Sequence, residues 1–530
     1  MSLRRGLAAL VLSPLLLTFG CQRLATPDAE DRAVQAVEKL GGKVVREDNN
    51  PAKPVVGIDL QSTKVTDAGL KELAGLKELQ TLDLTYTRVT DAGLKELADL
   101  KGLQTLKLGD AVTDATLRTL REIDLLHALD RAGAAGGKRP SNPADILTLE
   151  LSRTYVTDAG LKELADLKGL QMLGLDQCQG VTNAGLKELV DLKGLQTLKL
   201  WGTKVTDAGL KELAALKRLQ SLGLDGAQVT DAALRTLREI GLLHALDRAR
   251  AAGDKRPSNP SDVQSLYLSS TSVTDAGLKE LADLKGLQWL DLTWTKVTGA
   301  GLKELAPLKA LQTLNLESPQ VTDAVLRALR EIGLLHVLVQ AQAAGGKRPS
   351  NPSDVVTLDL GYTQVSYSGL KELAALKGLQ TLNFTGCPWV GDAGLNELAA
   401  LKGLQSLSLD RTQVTDAGLK ELADLKGLQT LDLGATKVTD AGLKELAGLK
   451  ALRSLNLSRC RITDAGLKEV GGLKGLQTLD ISNTSVTDMG VKELAGLKDL
   501  QTLKLTFSRV TEAGIADLRK ALPDCKINPQ

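Results

Sequence analysis

Residues 79–100 read Leu79-Gln-Thr-Leu82-Asp-Leu84-Thr-Tyr-Thr87-Arg-Val89-Thr-Asp-Ala-Gly-Leu94-Lys-Glu-Leu97-Ala-Asp-Leu100, and two periods meet inside them. Leu82 and Leu84 lie two apart, the spacing of a strand with one buried face. Beyond Val89 the spacing changes: Leu94, Leu97 and Leu100 form one stripe of a short helix. Thr90 and Asp91 sit where an N-cap side chain accepts the first free amides of that helix. Neither half can bury its apolar face alone. The phrase Val-Thr-Asp-Ala-Gly-Leu, however, returns about every 24 residues, from Val65 and Val89 through close variants at Val112, Val156, Val181, Val205, Val229, Val273, Val297, Val321, Val365, Val390, Val414, Val438, Ile462, Val486 and Val510. Stacked copies bury what one copy cannot, so the strands should form a parallel sheet with the helices behind it.

A unit of this length with leucines at fixed offsets resembles the leucine-rich repeat family, over roughly Pro54 to the C-terminus. Its Thr-Asp-x-Gly-Leu turn is most similar to the cysteine-containing subclass of F-box/leucine-rich-repeat proteins and of long bacterial arrays. Where the family pattern places Asn or Cys after the strand, this chain usually has Thr: Thr63, Thr87, Thr154, Thr203, Thr271, Thr295, Thr363, Thr412, Thr436 and Thr484. A Thr hydroxyl there can satisfy a buried backbone group in the turn, as Asn would. The resemblance implies an α/β leucine-rich repeat solenoid, a horseshoe with a parallel β-sheet on the concave face and helices on the convex face.

A repeat array can reach 530 residues without separate cores. Net charge is +2, with Lys and Glu interleaved in the Leu-Lys-Glu-Leu helices; this is a solvated convex face and argues against nucleic acid as a partner. Cys178, Cys387 and Cys460 take the ladder position that Thr fills elsewhere, on the fifth, twelfth and fifteenth rungs from the strand at Val55. Rungs about 4.8 Å apart put even three rungs at roughly 14 Å. A disulfide needs Cα atoms within about 7 Å, so these thiols are expected to be free. Met1 to Gly20 has Arg4 and Arg5 followed by an apolar run from Leu7 to Leu17, the layout of an export signal. Gly20-Cys21 resembles the cleavage and acylation site of bacterial lipoproteins, which implies lipidation at Cys21, although Thr18 departs from the Leu that motif prefers. An ordinary secretory signal ending near a Cys is the alternative.

The spacing lengthens three times, at Val112 to Val156, Val229 to Val273 and Val321 to Val365, and each long interval holds the same insert with Lys-Arg-Pro-Ser-Asn-Pro at Lys138, Lys255 and Lys347. The leucine pattern predicts that each insert extends the preceding helix by several turns. Either the array runs on past three protruding helices or it kinks there. The expected organisation is a signal over 1–21, a linker and capping helix over 22–54, sub-arrays over 55–123, 146–240, 263–332 and 355–517, helical inserts over 124–145, 241–262 and 333–354, and a C-terminal cap over 518–530. Each insert parallels the N-terminal cap in layout.

No catalytic or cofactor motif stands out. The histidines, His127, His244 and His336, occupy one position in the three inserts and read as structural. No Cys-x-x-Cys, His-Glu-x-x-His, phosphate-binding loop or nucleophile elbow is present. The chain is therefore expected to be non-enzymatic, with no cofactor and no metal site. Aromatic residues are scarce, 4 Trp, 5 Tyr and 3 Phe. By strand alternation, the residues between and just after the leucines face the concave surface, and Tyr86, Trp201, Tyr267, Trp289, Trp294, Tyr362 and Phe507 fall there. Trp201 to Tyr362 span rungs six to eleven, roughly 24 Å at the usual strand spacing. Trp and Tyr dominate interface hot spots, so Tyr86, Trp201, Tyr267, Trp289, Trp294 and Tyr362 form the candidate partner-binding set. Asp83, Glu150, Asp291, Asp359, Asp432 and Asp480 add an acidic strip interrupted by Lys107, Lys199 and Lys504.

The expected function is binding of a protein, or a surface glycan, through the concave face at the cell envelope, with membrane attachment through an acylated Cys21. One alternative is a structural envelope spacer. Another, implied by the F-box resemblance, is a substrate-recognition scaffold of a ubiquitin ligase, but the N-terminal region has no room for an F-box.

Overall fold

The structure, a computed structural model of the chain, describes residues 29–528. The expected signal over 1–21, Cys21 included, and the first residues of the 22–54 segment lie outside the described residues. The chain divides into two compact units: residues up to Gly109 together with Thr119–Asp130, and Asp110–Arg118 together with Arg131 onward.

In the first unit the helix Ala29–Lys39 buries Ala33 and Val37. The strand Lys43–Arg46 then runs antiparallel to Val55–Asp59, and Thr81–Asp83 and Thr105–Lys107 follow in parallel. The second unit repeats this plan three times, in sheets of five, four and nine strands. Each sheet opens on a two-residue antiparallel strand, Ala132–Gly133, Ala249–Arg250 or Ala341–Gln342, and continues in parallel. Register is kept by one inward leucine per strand: Leu266, Leu290 and Leu314 are aligned, as are Leu358, Leu382, Leu407 and Leu431, and all are essentially inaccessible. Behind the sheet each repeat returns through a short helix such as Asp440–Leu443, continued as a tighter turn over Lys444–Gly448. This is the leucine-rich repeat solenoid that the periodicity implies.

The phrase Thr-Asp-x-Gly joins neighbouring repeats. Asp416 Oδ1 accepts the Thr439 N–H at 2.7 Å and Oδ2 accepts its hydroxyl at 2.6 Å. The same pair of bonds links Asp67 to Thr90, Asp158 to Thr182, Asp275 to Thr298, Asp440 to Thr463 and Asp488 to Thr511. A Cβ on Gly442 would stand 2.4 Å from Asp416 Oδ1, and Gly93, Gly185, Gly301 and Gly466 face the preceding Asp in the same way. The threonine also caps its own helix, as Thr439 does by accepting the Ala441 N–H. The expected helix-start bond thus forms at Thr439 and many of its counterparts but not at Thr66, Thr90 or Thr206, whose side chains make no cap bond, whereas the Asp carboxylate reaches forward to the next rung. Asn183 serves equally well, its Oδ1 accepting the Thr206 N–H at 2.8 Å and its Nδ2 donating to the Thr206 hydroxyl at 2.9 Å.

The second ladder behaves as its residue types suggest. Thr412 and Thr436 donate at 2.6 Å to the carbonyls of Leu409 and Leu433 three residues back, and Thr63, Thr154 and Thr363 do likewise. Where Cys replaces Thr, the thiol donates one rung back: Cys178 to Leu151 O at 3.1 Å, Cys387 to Leu360 O at 3.0 Å and Cys460 to Leu433 O at 3.0 Å. All three are buried and free, and burial pushes their pKa values up.

The inserts differ from expectation. The helices Asp231–Glu239 and Asp323–Glu331 stop before them, at Gly241 and Gly333, both with φ of 75°; a glycine in the left-handed region terminates a helix by satisfying its last carbonyls. Residues 241–262 hold tight turns at Leu243–Ala245, Ala252–Asp254 and Pro260–Asp262 and the strand Ala249–Arg250. They do not protrude: Leu242, Leu243, Ala245 and Leu246 are buried. Leu222 bridges to Leu246 in parallel and Ala249 pairs antiparallel with Leu266, so the insert lies between two strands as an irregular rung. Leu314 and Leu338 repeat the bridge at the third insert. Helix-side stacking crosses both inserts without a break, for Asp231 binds Thr274 and Asp323 binds Ser366 as Asp416 binds Thr439. The new sheets therefore start inside the inserts, at 132, 249 and 341, ahead of the expected boundaries at 146, 263 and 355. Each long helix also reaches a buried glutamate of the following repeat: Arg118 to Glu163, Arg235 and Arg238 to Glu280, Arg327 and Arg330 to Glu372.

Two substitution series test the ladder. Gly442→Ala should lower stability by about 1–3 kcal/mol, the usual range for overpacking. Gly403→Ala, whose added Cβ lies 3.5 Å from its nearest neighbour, should leave the urea midpoint nearly unchanged. Asp416→Asn should be tolerated as Asn183 is, while Asp416→Ala should lose about 2 kcal/mol. Acid sensitivity has a defined sign. The Thr90 N–H and hydroxyl hold Asp67, and the Thr511 hydroxyl and N–H hold Asp488, below the ordinary 3.8. A depressed folded value gives stability that is complete above the unfolded pKa and lost as pH falls through the folded one. Asp488→Asn should therefore flatten the acid limb of stability below about pH 4, measured by circular dichroism at graded pH.

Candidate recognition surface

Most rungs leave their strand through the same left-handed turn residue. Ser62, Tyr86, Arg153, Gln177, Ser270, Trp294, Tyr362, Arg411, Ala435, Arg459, Asn483 and Phe507 occupy equivalent places with φ between 51° and 63°, and Gly109, Gly202 and Gly386 take the place elsewhere. The preceding turn is fixed by the residue at the strand's end. Asp83, Asp291, Asp432 and Asp480 each accept, through Oδ1, the N–H two residues on, at 2.9–3.0 Å, a common Asx-turn arrangement. Most of the acidic strip thus serves the backbone. Its basic interruptions close pairs across the sheet, Lys107 with Asp83 at 3.2 Å and Lys504 with Asp480 at 3.4 Å on the strand before, and Lys199 with Glu150 at 2.8 Å two strands back.

The structure separates the expected aromatic set into two groups. Only Tyr267 and Trp289 stand on strands, facing away from the leucine core. They belong to adjacent rungs: Tyr267 is aligned with Asp291, two residues along the same face from Trp289. Trp289 keeps its Nε1 buried without a hydrogen-bond partner. The others lie on the rim where strand turns toward helix, a correction to their placement on the sheet. Tyr86, Trp294 and Tyr362 are the left-handed residues themselves, 75%, 70% and 59% exposed. Trp201 precedes Gly202 in its turn, and its N–H donates to Asp176 Oδ1 at 2.8 Å. The Tyr362 ring covers Gly386 of the next rung, where a Cβ would come within 2.6 Å of it. Tyr86 belongs to the first unit and the rest to the second.

The same rim carries aromatics that strand alternation overlooks. Tyr155, Tyr367 and Trp389 are all largely exposed. Trp389 Nε1 donates to Gln364 Oε1 of the preceding repeat at 3.1 Å. Tyr367 stands where the ladder Asp belongs and Gly391, one repeat on, where its Thr partner belongs; these departures from the repeat phrase are the signal that could have found them. The three histidines are buried in tight turns of the inserts, and burial pulls His244 and His336 below the ordinary imidazole value. Among the described residues no cluster of His, Cys, Asp or Glu could hold a metal ion, and no helix is long and apolar enough to cross a membrane.

Two stretches match family models: residues 360–525 a leucine-rich repeat region and residues 77–98 a leucine-rich repeat. Neither is a catalytic family. Several solved structures are similar to the chain. An internalin (inlF) from Listeria monocytogenes is 17% identical, covering 89% of this chain and 93% of its own, with a TM-score of 0.26. A leucine-rich repeat protein of Leptospira interrogans is 25% identical over 87% and 98%, with a TM-score of 0.35. The plant peptide hormone receptor RGFR1 in complex with RGF2 is 15% identical over 91% and 93%, with a TM-score of 0.34. No curated protein matches.

The buried thiols yield a direct check on the rung geometry. Cys178, Cys387 and Cys460 should resist a thiol reagent in the native protein and react after unfolding in urea, without prior reduction. A disulfide between any two, seen by mass spectrometry, would be incompatible with the stacking.

Proposed function

We propose that this chain is a non-enzymatic recognition protein of the bacterial cell envelope, exported and held there by a lipid on Cys21, and that it binds a protein partner along its aromatic rim and the adjoining sheet. The observation that carries the reading is the side chain placed at the left-handed turn. That backbone region costs a residue with a Cβ roughly 1–2 kcal/mol, and glycine fills it freely at Gly109, Gly202 and Gly386. Yet Tyr86, Trp294, Tyr362 and Phe507 hold large apolar side chains there with most of their surface in water. Such a residue gains little from its own fold, so its retention is best accounted for by contact with something else. Trp201, Tyr267 and Trp289 extend the same surface. A surface glycan is the alternative ligand, since sugars also stack on exposed aromatic rings.

The near-uniform helix face supports a second reading, an envelope spacer, because inter-repeat pairs such as Lys71–Glu96 and Lys303–Glu331 favour stacking whatever the ligand.

The two readings part on one variant. Trp294→Gly relieves the left-handed strain and should raise the urea midpoint, by about 1 kcal/mol of stability, while reducing capture of a partner from envelope extracts. Joined to Trp201→Ser and Trp289→Ser it should abolish capture, and the parent's tryptophan emission should shift to the blue when the purified partner is added. Equal capture by parent and triple variant would discard the rim and leave the spacer reading.

A further inference from the structure

The three inserts carry the same arginine, Arg139, Arg256 and Arg348, before Pro-Ser-Asn-Pro. In the third, Arg348 is threaded into the turn it follows. Its Nη1 donates to Val339 O at 3.1 Å and Ala341 O at 2.7 Å, and its Nη2 to the carbonyls of Gln312, Val337 and Leu338 at 3.2, 2.9 and 2.7 Å. Backbone thus uses the four Nη hydrogens. The Nε is buried and has no partner.

The second insert balances its arginine with acids and the third does not. Burial and Arg250 pull Arg256 below its ordinary value, and Asp247 and Asp254 push it back. Val339 and Gly346 stand in those two places in the third insert, and Arg348 feels burial alone. A desolvated cation without a counter-charge is costly.

Beside it lies a cavity of about 530 Å³ whose wall includes Gln288, Lys309, Gln312, His336, Arg348 and Asn351. Lys217, the counterpart of Lys309, donates to Ile240 O at 3.2 Å, whereas Lys309 makes no such bond and keeps its ammonium group available. His336 is only 7% exposed, yet its Nδ1 has no hydrogen-bond partner. The nearby acid, Asp354, is engaged by the Ser350 N–H at 3.2 Å and Asn351 Nδ2 at 2.8 Å.

We propose that this cavity binds an oxyanion, a carboxylate or phosphate group, which is received by the Lys309 ammonium and supplies, beside the Arg348 guanidinium, the counter-charge absent from the third insert. The volume lies within the roughly 300–1,000 Å³ typical of small-molecule sites and leaves room for the molecule that carries the group. The site is separate from the aromatic rim and does not depend on it.

Thermal unfolding and calorimetric titration of the full chain with inorganic phosphate and with succinate test this, with sodium chloride matched in ionic strength as the control. One of the two anions should bind saturably and raise the unfolding midpoint beyond chloride. Lys309→Ala should weaken that binding about tenfold, the effect of one charge-assisted contact. Val339→Asp, which restores the acid of the second insert, should weaken it comparably and raise the midpoint without any anion. Both positions are outside the buried core, so circular dichroism should show intact folds. A response no greater than that of chloride, or binding kept within about twofold by either variant, would overturn the proposal.

Discussion

A carboxylate at the start of one helix, gripping the backbone and hydroxyl of the threonine one repeat on, is the contact on which this architecture depends. Leucines supply most of the apolar burial, but a leucine stripe packs against its neighbour with little directional preference. The bonds from Asp416 to Thr439, and their counterparts along the chain, have direction and length, so they fix how far each helix advances from the last. They also demand an empty space. With the oxygen of Asp416 2.4 Å from where a Cβ on Gly442 would be, the glycine is required by its neighbour and not by its own φ. Thr, Asp and Gly in the repeated phrase are three parts of one inter-repeat joint, and the phrase recurs because each copy completes the joint begun by the copy before.

That joint also marks how far one sequence could be read. The strand and helix periods at Leu82–Leu84 and Leu94–Leu100 were sufficient for the fold, since burial has few solutions when apolar residues alternate two apart and then three. The hydroxyl ladder was legible too, because a small polar residue inside a turn needs a backbone partner. The forward reach of Asp67 was not legible, because a residue at a helix start has an adequate local explanation and its partner is a whole repeat away. The inserts were misread for a similar reason. Leu242, Leu243 and Leu246 continue a helical spacing, but Gly241 stops the helix and those leucines are spent in an extra rung of core. Their likeness to the N-terminal cap was the better guide, since Lys43–Arg46 and Ala249–Arg250 both open a sheet antiparallel to its first long strand.

For the candidate surface, alternation placed Tyr267 and Trp289 correctly and failed just beyond the strand. The left-handed turn gives no glycine signature, because Ser62, Arg153, Gln177 and Asn483 accept it, so nothing in the residue types announces that Tyr86, Trp294 and Tyr362 leave the sheet face for the rim. The acidic strip shows the converse error. Asp291 and Asp432 point where a ligand would be met, yet each already caps its own turn, and a carboxylate so engaged has less to offer a partner. Exposure of a charged row is weak evidence of a site. Exposure of a large ring at a strained backbone position is stronger, because solvent and strain both oppose it.

The places where the joint is interrupted connect framework and surface. Gly299 replaces the ladder Asp in the rung that displays Trp289 and Trp294, and the backbone of Ala324 comes so near that an added Cβ would lie 2.4 Å from its carbonyl carbon. Tyr367 and Gly391 replace both halves of the joint between the rungs of Tyr362 and Trp389, and there a Cβ on Gly394 would meet the Cα of Tyr367 at 2.8 Å. The helix starts stay about as near at Tyr367 as at the intact joint of Asp275, where a Cβ on Gly301 would lie 2.6 Å from the Asp275 Cα, so the stacking persists without the carboxylate bonds. A solenoid can accept this because its stability is a sum over many neighbouring interfaces, and one altered joint leaves the others intact. Other outward aromatics, Tyr155 and Tyr267, stand in rungs whose joints, Asp158 to Thr182 and Asp275 to Thr298, are intact, so display does not require a lost joint.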